Sequence, residues 1–577
     1  MKLIPKVKKL VKHDGYLNRK GLCIQCEDMD VRLVNALHKL PLCAEGVPLY
    51  MDISGISGEG YELDITETSI QIMAEGPAGA FYALQTLRQI FKEEQVPCLH
   101  IKDKPDFAYR GFYQDVTRGK IPTVETIKKL VDTMAYYKLN SLQLYVEHVF
   151  EFEESKDLWE STGYLTKEEL REIGAYCKEN FIEFIPSLST FGHMCELLNQ
   201  EQYRHLRVLK DYVDSPNFWW DRMSHHTIDP LKEESFELVK SLINQYAPCF
   251  ESDMFNICCD ETFDLTKYAE EGLDVGALYL EFTKKIISHV QSLGKKVMMW
   301  GDVLLENPKI ITEFPEDVTF LNWYYDANVE EMEEKISKFA GLRRKQIVCP
   351  GTSAWNRFCE RVETEEINIV KMIELGYKYG AEGVLNTNWG DWGNPESLEL
   401  CMYGLVLGAE KSWSSGTAID ESFYEAVNTL LYGNPVGIQT LKMLSKLNDS
   451  ITWWDVCCNY FKHRYHTGEA LDLPSKEQVE VIQKEYLELV GVLNGEAWKA
   501  NNSSMSQNLE EYRKEMLLAA EGICLMAELS GKLAGYKINK VADTGEWMNR
   551  YSRAWLKKNK PSELRKIEEL FTYYESL

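Results

Sequence analysis

Two adjacent carboxylic acids, Asp260 and Glu261, close a short apolar segment and are the first candidates for chemistry in this sequence. The segment before them, residues 255–259, is apolar enough to form a buried strand. An Asp-Glu dipeptide is common and carries little information on its own. At the end of a strand, however, a carboxylic acid can act as a general acid if its surroundings raise its pKa.

Other polar and aromatic residues stand at or just after the ends of further candidate strands. Tryptophan faces stack on the apolar C–H faces of sugar rings, while carboxylates and arginine pair with hydroxyl groups through bidentate hydrogen bonds. This combination predicts a site that binds and cleaves sugars, with a general acid that protonates the leaving oxygen. In chain order the residues are Asp115, Arg118, Glu147, His148, His193, Trp300, Asp302, Trp323, Trp355, Asn356, Arg357, Trp389 and Asp391.

The elements that must position these residues are short apolar segments, with helical patterns between several of them. Alternating strands and helices imply parallel strands joined by crossover helices. Eight such strands over roughly 300 residues predict a closed (β/α)8 barrel of the α/β class, whose active site lies at the carboxyl ends of its strands. The candidate strands are residues 110–116, 141–147, 182–189, 254–260, 296–302, 318–323, 346–351 and 383–389.

The rest of the chain divides into two further predicted domains. Residues 1–105 form an N-terminal α+β domain, since segments such as 61–65 alternate apolar and polar residues at period two. The catalytic barrel then occupies residues 106–417. Residues 418–577 form a C-terminal helical domain, because segments such as 479–492 repeat their apolar residues at helical spacing.

Composition excludes some classes of partner. The chain has 577 residues and a net charge of −26, so neither nucleic acid nor an anionic membrane is an expected partner. No run of about 18 apolar residues predicts a membrane span, and residues 1–9 are not followed by the apolar core of a signal peptide. The 15 cysteines lack the spacing of a disulfide scaffold, which is typical of a reducing compartment. Together these features predict a cytoplasmic protein.

No group of His, Cys, Asp and Glu has the spacing of a zinc site, so neither a metal nor another cofactor is predicted. The pair at residues 225–226, two histidines, is interpreted as structural. Two tryptophan pairs, at residues 219–220 and 453–454, are interpreted as filling cores or covering a domain boundary. The sequence gives no oligomeric state.

Taken together, the motifs resemble those of family 20 glycoside hydrolases, the β-N-acetylhexosaminidases, over roughly residues 60–415. Asp260 and Glu261 match the family's catalytic pair. Residues 109–118 are similar to the family's first barrel strand, and residues 79–87 are similar to the domain that precedes the barrel. With Glu147 at the end of the second strand, the sequence resembles a bacterial subgroup most closely.

The resemblance implies an exo-acting, retaining enzyme that removes terminal β-linked GlcNAc or GalNAc from oligosaccharides or glycoconjugates by substrate-assisted catalysis. This mechanism is an exception to the two-carboxylate retaining scheme, because the substrate's own 2-acetamido carbonyl attacks the anomeric carbon. Glu261 would protonate the leaving oxygen and then activate water. Asp260 would hold the acetamido N–H and stabilise the cyclic cation.

The resemblance also assigns substrate-binding residues. Arg118 matches the arginine that grips the 3- and 4-hydroxyls, and Asp391 stands where many members have a glutamate that contacts the 4- and 6-hydroxyls. His193 matches a histidine near the acetamido side, and Glu147 stands where the family often has Asp. The aromatic walls of the pocket match Trp300, Trp323 and Trp389.

Two departures from the family pattern leave alternatives open. Cys258 and Cys259 stand where small glycines are usual. Residues 351–357 lack the tyrosine that binds the acetamido oxygen in many members, so either another group, such as Tyr325 or Asn356, takes this role or the acetamido site is altered.

A barrel glycosidase for sugars without an acetamido group is therefore one alternative function. It would need a nucleophilic carboxylate about 5–5.5 Å from the acid, and Glu147 and Asp391 are the candidates. A non-catalytic carbohydrate-binding relative is the other alternative, because fold alone does not prove activity.

Overall fold

The computed structural model describes residues 1–18, 21–26, 29–158, 163–210, 226–499 and 506–577. The interpretations of His225 and of the pair at residues 219–220 concern residues outside these ranges. Across the described ranges, no helix combines the length and the apolar character needed to cross a membrane.

The N-terminal region is a six-stranded mixed sheet in the order β1-β6-β4-β5-β3-β2. The predicted alternation is confirmed, since every second residue of β4 and of β5 is buried. That buried face packs against the second helix of the region. The elements are β1 (Lys9–Tyr16), β2 (Leu22–Ile24), α1 (Val31–Leu37), β3 (Val47–Ile53), β4 (Tyr61–Ile65), β5 (Ile70–Ala74), α2 (Pro77–Ile90) and β6 (Pro97–Asp103).

Eight parallel strands then close into the predicted barrel, and the eighth strand pairs with the first through a register of Gly383 to Tyr109. The strands are nearly all buried on both faces, as expected for a sheet that is covered by helices outside and filled by side chains inside. They are β7 (Tyr109–Asp115), β8 (Ser141–Val146), β9 (Glu183–Leu188), β10 (Met254–Asn256), β11 (Lys296–Trp300), β12 (Thr319–Trp323), β13 (Gln346–Cys349) and β14 (Gly383–Asn388).

The fourth barrel strand is shorter than predicted. The sequence pattern predicts a strand over residues 254–260, but β10 ends at Asn256. The prediction was wrong here because Cys258 and Cys259 have φ angles of 57° and 64°, in the left-handed region. An extended strand cannot pass through two residues of this conformation. The chain therefore turns before it reaches Asp260.

The barrel helices start at well-defined caps. Thr123 accepts a hydrogen bond from the backbone of Thr126, and Thr166 forms a reciprocal capping box with Glu169. The main helices are α3 (Val124–Tyr136), α4 (Lys167–Glu179), α5 (Cys195–Asn199), α6 (Glu233–Tyr246), α7 (Thr266–Glu270), α8 (Val275–Ser292), α9 (Asp302–Glu306), α10 (Pro308–Ile311), α11 (Val329–Gly341), α12 (Val362–Lys378) and α13 (Met402–Trp413).

The region after the barrel is helical, as predicted. Its helices bury Trp453, Trp498 and Trp547, which are each at most 1% exposed. Trp453 lies where these helices meet the barrel loops. This place fits both interpretations of the pair at residues 453–454, since Trp453 is buried and also covers the junction with the barrel. The helices are α14 (Glu421–Val427), α15 (Gly437–Asp449), α16 (Trp453–Arg464), α17 (Lys476–Leu493), α18 (Ser506–Leu533), α19 (Thr544–Lys558) and α20 (Leu564–Ser576).

Candidate active site

The floor of the candidate site is made of four aromatic rings inside the barrel. Tyr113 lies 5.3 Å from Trp300 and 5.0 Å from Trp389 between ring centroids, and Tyr145 lies 5.1 Å from Trp389. Trp300 is only 1% exposed, so it lies beneath the pocket and supports it from below. The sequence predicted the two tryptophans but missed the two tyrosines, whose only signal is their inward-facing position on β7 and β8.

A tight turn presents Asp260 and Glu261 together at the barrel mouth. Adjacent strand residues point to opposite faces, but Cys258, Cys259 and Glu261 all have positive φ angles. Backbone in this conformation costs roughly 1–3 kcal/mol per residue and persists only where the surroundings hold it. Here the Tyr279 hydroxyl donates to the Cys259 carbonyl at 2.7 Å.

Two more contacts fix the turn. The backbone N–H of Glu261 donates to Asp302 Oδ2 at 3.0 Å. On the other side Gly192 approaches so closely that a Cβ on it would lie 2.3 Å from the Asp260 carbonyl oxygen. Only glycine can occupy this position without moving the Asp260 backbone.

His193 connects the two carboxylates. Its Nε2 lies 3.2 Å from Asp260 Oδ2 and 3.3 Å from Glu261 Oε2. Burial opposes the charged imidazolium, but the two carboxylates outweigh it and raise the pKa of His193 to about 10. His226 Nδ1 accepts the backbone N–H of His193 at 3.0 Å, so His226 has the structural role predicted for it. We refer to His193, Asp260 and Glu261 as the histidine cluster.

The histidine cluster is also the one group within the described residues whose ligand atoms could surround a metal ion, since they lie within 4.8 Å of one another. With the pKa of His193 raised to about 10, a protonated His193 forms ion pairs with both carboxylates, which accounts for the short distances among the three side chains.

Asp302 is a further carboxyl group behind the histidine cluster. Burial, and then the charge of Asp260, raises the pKa of Asp302 to about 7. Its second oxygen, Oδ1, is buried without a hydrogen-bond partner. The end-of-strand pattern included this residue, but it was not among the predicted site residues.

Arg118 forms the second cluster of the pocket. Its guanidinium lies 2.9 Å from Asp391 Oδ1 and 3.3 Å from Glu147 Oε1. It also lies over the Tyr145 and Trp389 rings, 5.0 and 5.2 Å from their centroids. We refer to Arg118, Glu147 and Asp391 as the arginine cluster.

Asp115 connects two of the three barrel strands whose ends carry the arginine cluster. Its Oδ1 accepts the backbone N–H groups of Thr117 and Arg118 at 2.9 and 3.0 Å, and its Oδ2 accepts that of Gly390 at 3.2 Å. Burial raises the pKa of Asp115 to about 6, although Arg118 opposes this shift. The first and last strands of the barrel are thus tied together beside Asp391.

The far wall of the pocket is aromatic. Trp323 and Tyr325 stack with ring centroids 5.0 Å apart and an interplanar angle of 21°. Trp389 Nε1 donates to the Tyr325 hydroxyl at 2.8 Å, and Trp355 lies 5.1 Å from the Tyr325 ring. A Cβ on Gly351 would lie 2.9 Å from the Tyr325 ring, so the missing side chain there makes room for this tyrosine.

All nine residues predicted for the site lie at the carboxyl ends of barrel strands. The two clusters meet where Arg118 Nη2 lies 3.5 Å from His193 Nδ1. The three predicted tryptophans are distributed between the floor and the far wall. The site can therefore present an acid–base pair, a charged group for hydroxyls and an aromatic surface to one sugar ring.

Comparisons with known proteins match the barrel and the region before it. The profile described as "Glycosyl hydrolase family 20, catalytic domain" matches residues 107–379, and the profile described as "Glycosyl hydrolase family 20, domain 2" matches residues 2–104.

Curated relatives match over part of the chain. A beta-hexosaminidase from Porphyromonas gingivalis is 28% identical over 43% of this chain and 36% of its own length. A beta-hexosaminidase from Emericella nidulans is 26% identical over 46% of this chain and 49% of its own length. The chain thus aligns with less than half of the length of these relatives.

Solved structures share the fold at low identity. An exo beta-N-acetylglucosaminidase from Vibrio harveyi, in complex with N-acetylglucosamine, has a TM-score of 0.59 and 18% identity over 76% of this chain and 78% of its own. The chitobiase of Flavobacterium johnsoniae has a TM-score of 0.61 and 16% identity over 99% of both chains.

Proposed function

The chain belongs to glycosyl hydrolase family 20, and from that membership and the geometry of the site we propose that it is an exo-acting, retaining β-N-acetylhexosaminidase. Its substrate would be a terminal, non-reducing β-linked GlcNAc or GalNAc on an oligosaccharide. The observation that carries the proposal is the convergence of Asp260 and Glu261 on His193 Nε2, at 3.2 and 3.3 Å.

In the first step the substrate's acetamido oxygen forms a bond to the anomeric carbon while the bond from that carbon to the leaving oxygen breaks. Glu261 gives its proton to the leaving oxygen, since an alkoxide would be a poor leaving group. Asp260 accepts a hydrogen bond from the acetamido N–H and stabilises the positive charge of the cyclic intermediate. In the second step Glu261 takes a proton from water while the water oxygen bonds to the anomeric carbon. The bond from that carbon to the acetamido oxygen breaks, and the two steps together retain the configuration.

The histidine cluster carries balanced charges when Glu261 holds the proton that it gives away in the first step. With Glu261 protonated, His193 and Asp260 form a neutral ion pair inside a buried site. Burial makes a net charge costly, and pairing His193 with Asp260 reduces that cost. When Glu261 releases its proton, the nearby imidazolium stabilises the carboxylate that remains.

Tyr325 is the residue that we assign to the acetamido oxygen. Burial raises the pKa of Tyr325 well above its usual value, so the phenol keeps its proton. Trp389 Nε1 donates to the phenol oxygen at 2.8 Å, and the phenol O–H would be the donor to the acetamido oxygen. Asn356, the other candidate, uses its side-chain amide to donate to Asp391 Oδ2 at 3.0 Å. The tyrosine absent from residues 351–357 is thus replaced by one from the preceding loop.

The arginine cluster would bind the remaining hydroxyls. Arg118 and Asp391 are paired at 2.9 Å and would contact the 3-, 4- and 6-hydroxyls together with Glu147. A sugar whose 4-hydroxyl is held by charged side chains has no free position there for another residue. This enclosure supports cleavage from the non-reducing end.

The test is hydrolysis of 4-nitrophenyl β-glycosides of GlcNAc, GalNAc, glucose and galactose by the purified protein. We expect cleavage of the two N-acetylated substrates alone, with the β-anomer as first product by NMR. Equal cleavage of the glucoside would favour a glycosidase with a protein nucleophile. Absence of all cleavage, with binding of GlcNAc retained, would favour a carbohydrate-binding relative.

For location we propose the cytoplasm of a bacterium, with short imported oligosaccharides as substrates. All 15 cysteines are free thiols, which supports a reducing compartment. Recovery of most activity from the medium of unlysed cells would contradict this location.

A further inference from the structure

One tryptophan of the C-terminal helices connects two loops of the candidate site. The backbone N–H of Trp453 donates to the carbonyl of Asn356 at 3.1 Å. Its indole Nε1 donates to the carbonyl of Trp392 at 2.9 Å. Asn356 lies in the loop after the seventh barrel strand, and Trp392 lies in the loop after the eighth. Trp453 is fully buried, so both hydrogen bonds are shielded from water.

The two loops are also joined by their side chains. Asn356 Nδ2 donates to Asp391 Oδ2 at 3.0 Å, and the other oxygen of Asp391 accepts from Arg118 at 2.9 Å. A continuous chain of hydrogen bonds therefore runs from the C-terminal helices through Asn356 to the arginine cluster.

Both loops have conformations that require outside support. Asn356 and Asp391 have φ angles of 57° and 49°. Residues in the left-handed region are held in place by their surroundings. Further contacts from the C-terminal helices supply this support, since Asp449 pairs with Arg357 at 2.9 Å and the Tyr551 hydroxyl donates to the Pro395 carbonyl at 2.8 Å.

We propose that the C-terminal helical region is part of the substrate-recognition apparatus, in which Trp453 and Asn356 are positioning residues that hold Asp391 for the sugar's 4-hydroxyl. This inference rests on the proposed function. It adds that recognition of the hydroxyls depends on a part of the chain outside the barrel. The contacts of the histidine cluster described above come from the barrel itself, so the chemical step is expected to depend on these helices much less.

The test uses Asn356→Gly and Trp453→Phe in the full-length protein. Glycine adopts the left-handed conformation without strain and keeps the carbonyl that Trp453 binds, so Asn356→Gly removes only the amide. Phenylalanine keeps the ring packing of Trp453 but loses the indole donor. Trp498→Phe is the matched control, because it removes a buried indole hydrogen bond to Thr440 within the C-terminal helices.

Each variant is assayed with 4-nitrophenyl β-GlcNAc and with its 4-deoxy analogue, and its melting temperature is measured. We expect Asn356→Gly to lower kcat/KM for the 4-hydroxyl substrate by about 10-fold, mainly through KM, as loss of a hydrogen bond to a charged group does. Trp453→Phe should lower it by about 3- to 10-fold. Against the 4-deoxy substrate both losses should shrink to about 2-fold, because the 4-hydroxyl is absent and only the 6-hydroxyl is left for Asp391.

The outcomes separate the two proposals. If the wild-type protein cleaves no N-acetylhexosaminide, the proposed function is overturned and this inference with it. If the wild type is active but both variants lose activity equally on the two substrates, or behave like Trp498→Phe, the positioning role is overturned and the proposed function stands. A clearly larger loss on the 4-hydroxyl substrate than on its 4-deoxy analogue supports both the proposed function and the positioning role.

Discussion

The histidine cluster and the arginine cluster share one pocket but are built in different ways. The histidine cluster depends on a strained turn at Cys258 and Cys259 that neighbouring barrel elements hold in place. The arginine cluster depends on ion pairs between residues on the first, second and eighth strands. Its loops are also hydrogen-bonded to the C-terminal helices.

Under the proposed function, the histidine cluster would carry the reaction and the arginine cluster would carry recognition of the sugar. The turn that carries Asp260 and Glu261 allows little variation, because Gly192 and Tyr279 both contact its backbone. The arginine cluster is connected to a region outside the barrel, so changes there can alter which hydroxyls are recognised without altering the acid–base pair. Substitutions in the two clusters should therefore have different kinetic signatures.

The largest effect is expected from Glu261→Gln, which removes the general acid and keeps the side-chain shape. Turnover of a natural disaccharide should fall by about 10²–10⁴-fold, which is the usual contribution of general acid–base catalysis. The first step on a 4-nitrophenyl glycoside should fall less, because that leaving group needs little protonation. Steady-state and pre-steady-state rates on both substrates measure this contrast, and equal losses on both would refute the acid role of Glu261.

Arg118→Lys tests the other cluster. Lysine keeps the charge but cannot bridge Asp391 and Glu147 with a planar fork. We expect kcat/KM to fall by about 10- to 100-fold, from the loss of one or two hydrogen bonds to charged groups, with most of the change in KM. A fall in kcat as large as that of Glu261→Gln would show that the two clusters are not separable.

Much of this site could be predicted from sequence because the active site of a (β/α)8 barrel lies at the carboxyl ends of its strands. The period of apolar segments placed Arg118, His193 and Asp391 at strand ends, although they are far apart in the chain. The end of the fourth strand could not be predicted, since Cys258 and Cys259 give no signal of a left-handed backbone, whereas glycine at those positions would have. Local patterns describe neighbours along the chain, and this turn is imposed by tertiary contacts.

Two further residues act across long separations. Tyr325, which the sequence named only as one of two candidates for the acetamido oxygen, reaches its place because Gly351, in the loop after the next strand, leaves room for its ring. Trp453 was interpreted as filling a core or covering a domain boundary, and its hydrogen bonds to two site loops depend on how the C-terminal helices pack. No spacing rule encodes such a contact in a single sequence.

The smallest effect is expected from Asp302→Asn, which tests the charge that lies behind the histidine cluster. The amide oxygen can still accept the backbone N–H of Glu261, so the turn should persist, but the negative charge is removed. Because the pKa of Asp302 is raised to about 7 in the folded protein, Asp302 acquires its charge near neutral pH, directly behind the turn that carries Asp260 and Glu261. Without that charge, the basic limb of the kcat/KM profile should move to lower pH by about 0.5–1 unit, while KM at pH 6 changes little.

The same substitution has a consequence for stability. A carboxyl group whose pKa is raised by folding binds its proton more tightly in the folded state, so it lowers stability as pH rises from its unfolded value of 3.8 through about 7. Asp302→Asn should remove this loss and flatten the dependence of melting temperature on pH between 4 and 8. Trp498→Phe changes no ionisable group and serves as the control. An Asp302→Asn profile parallel to that of the wild type would mean that folding does not raise the pKa of Asp302 and that Asp302 is charged throughout this range.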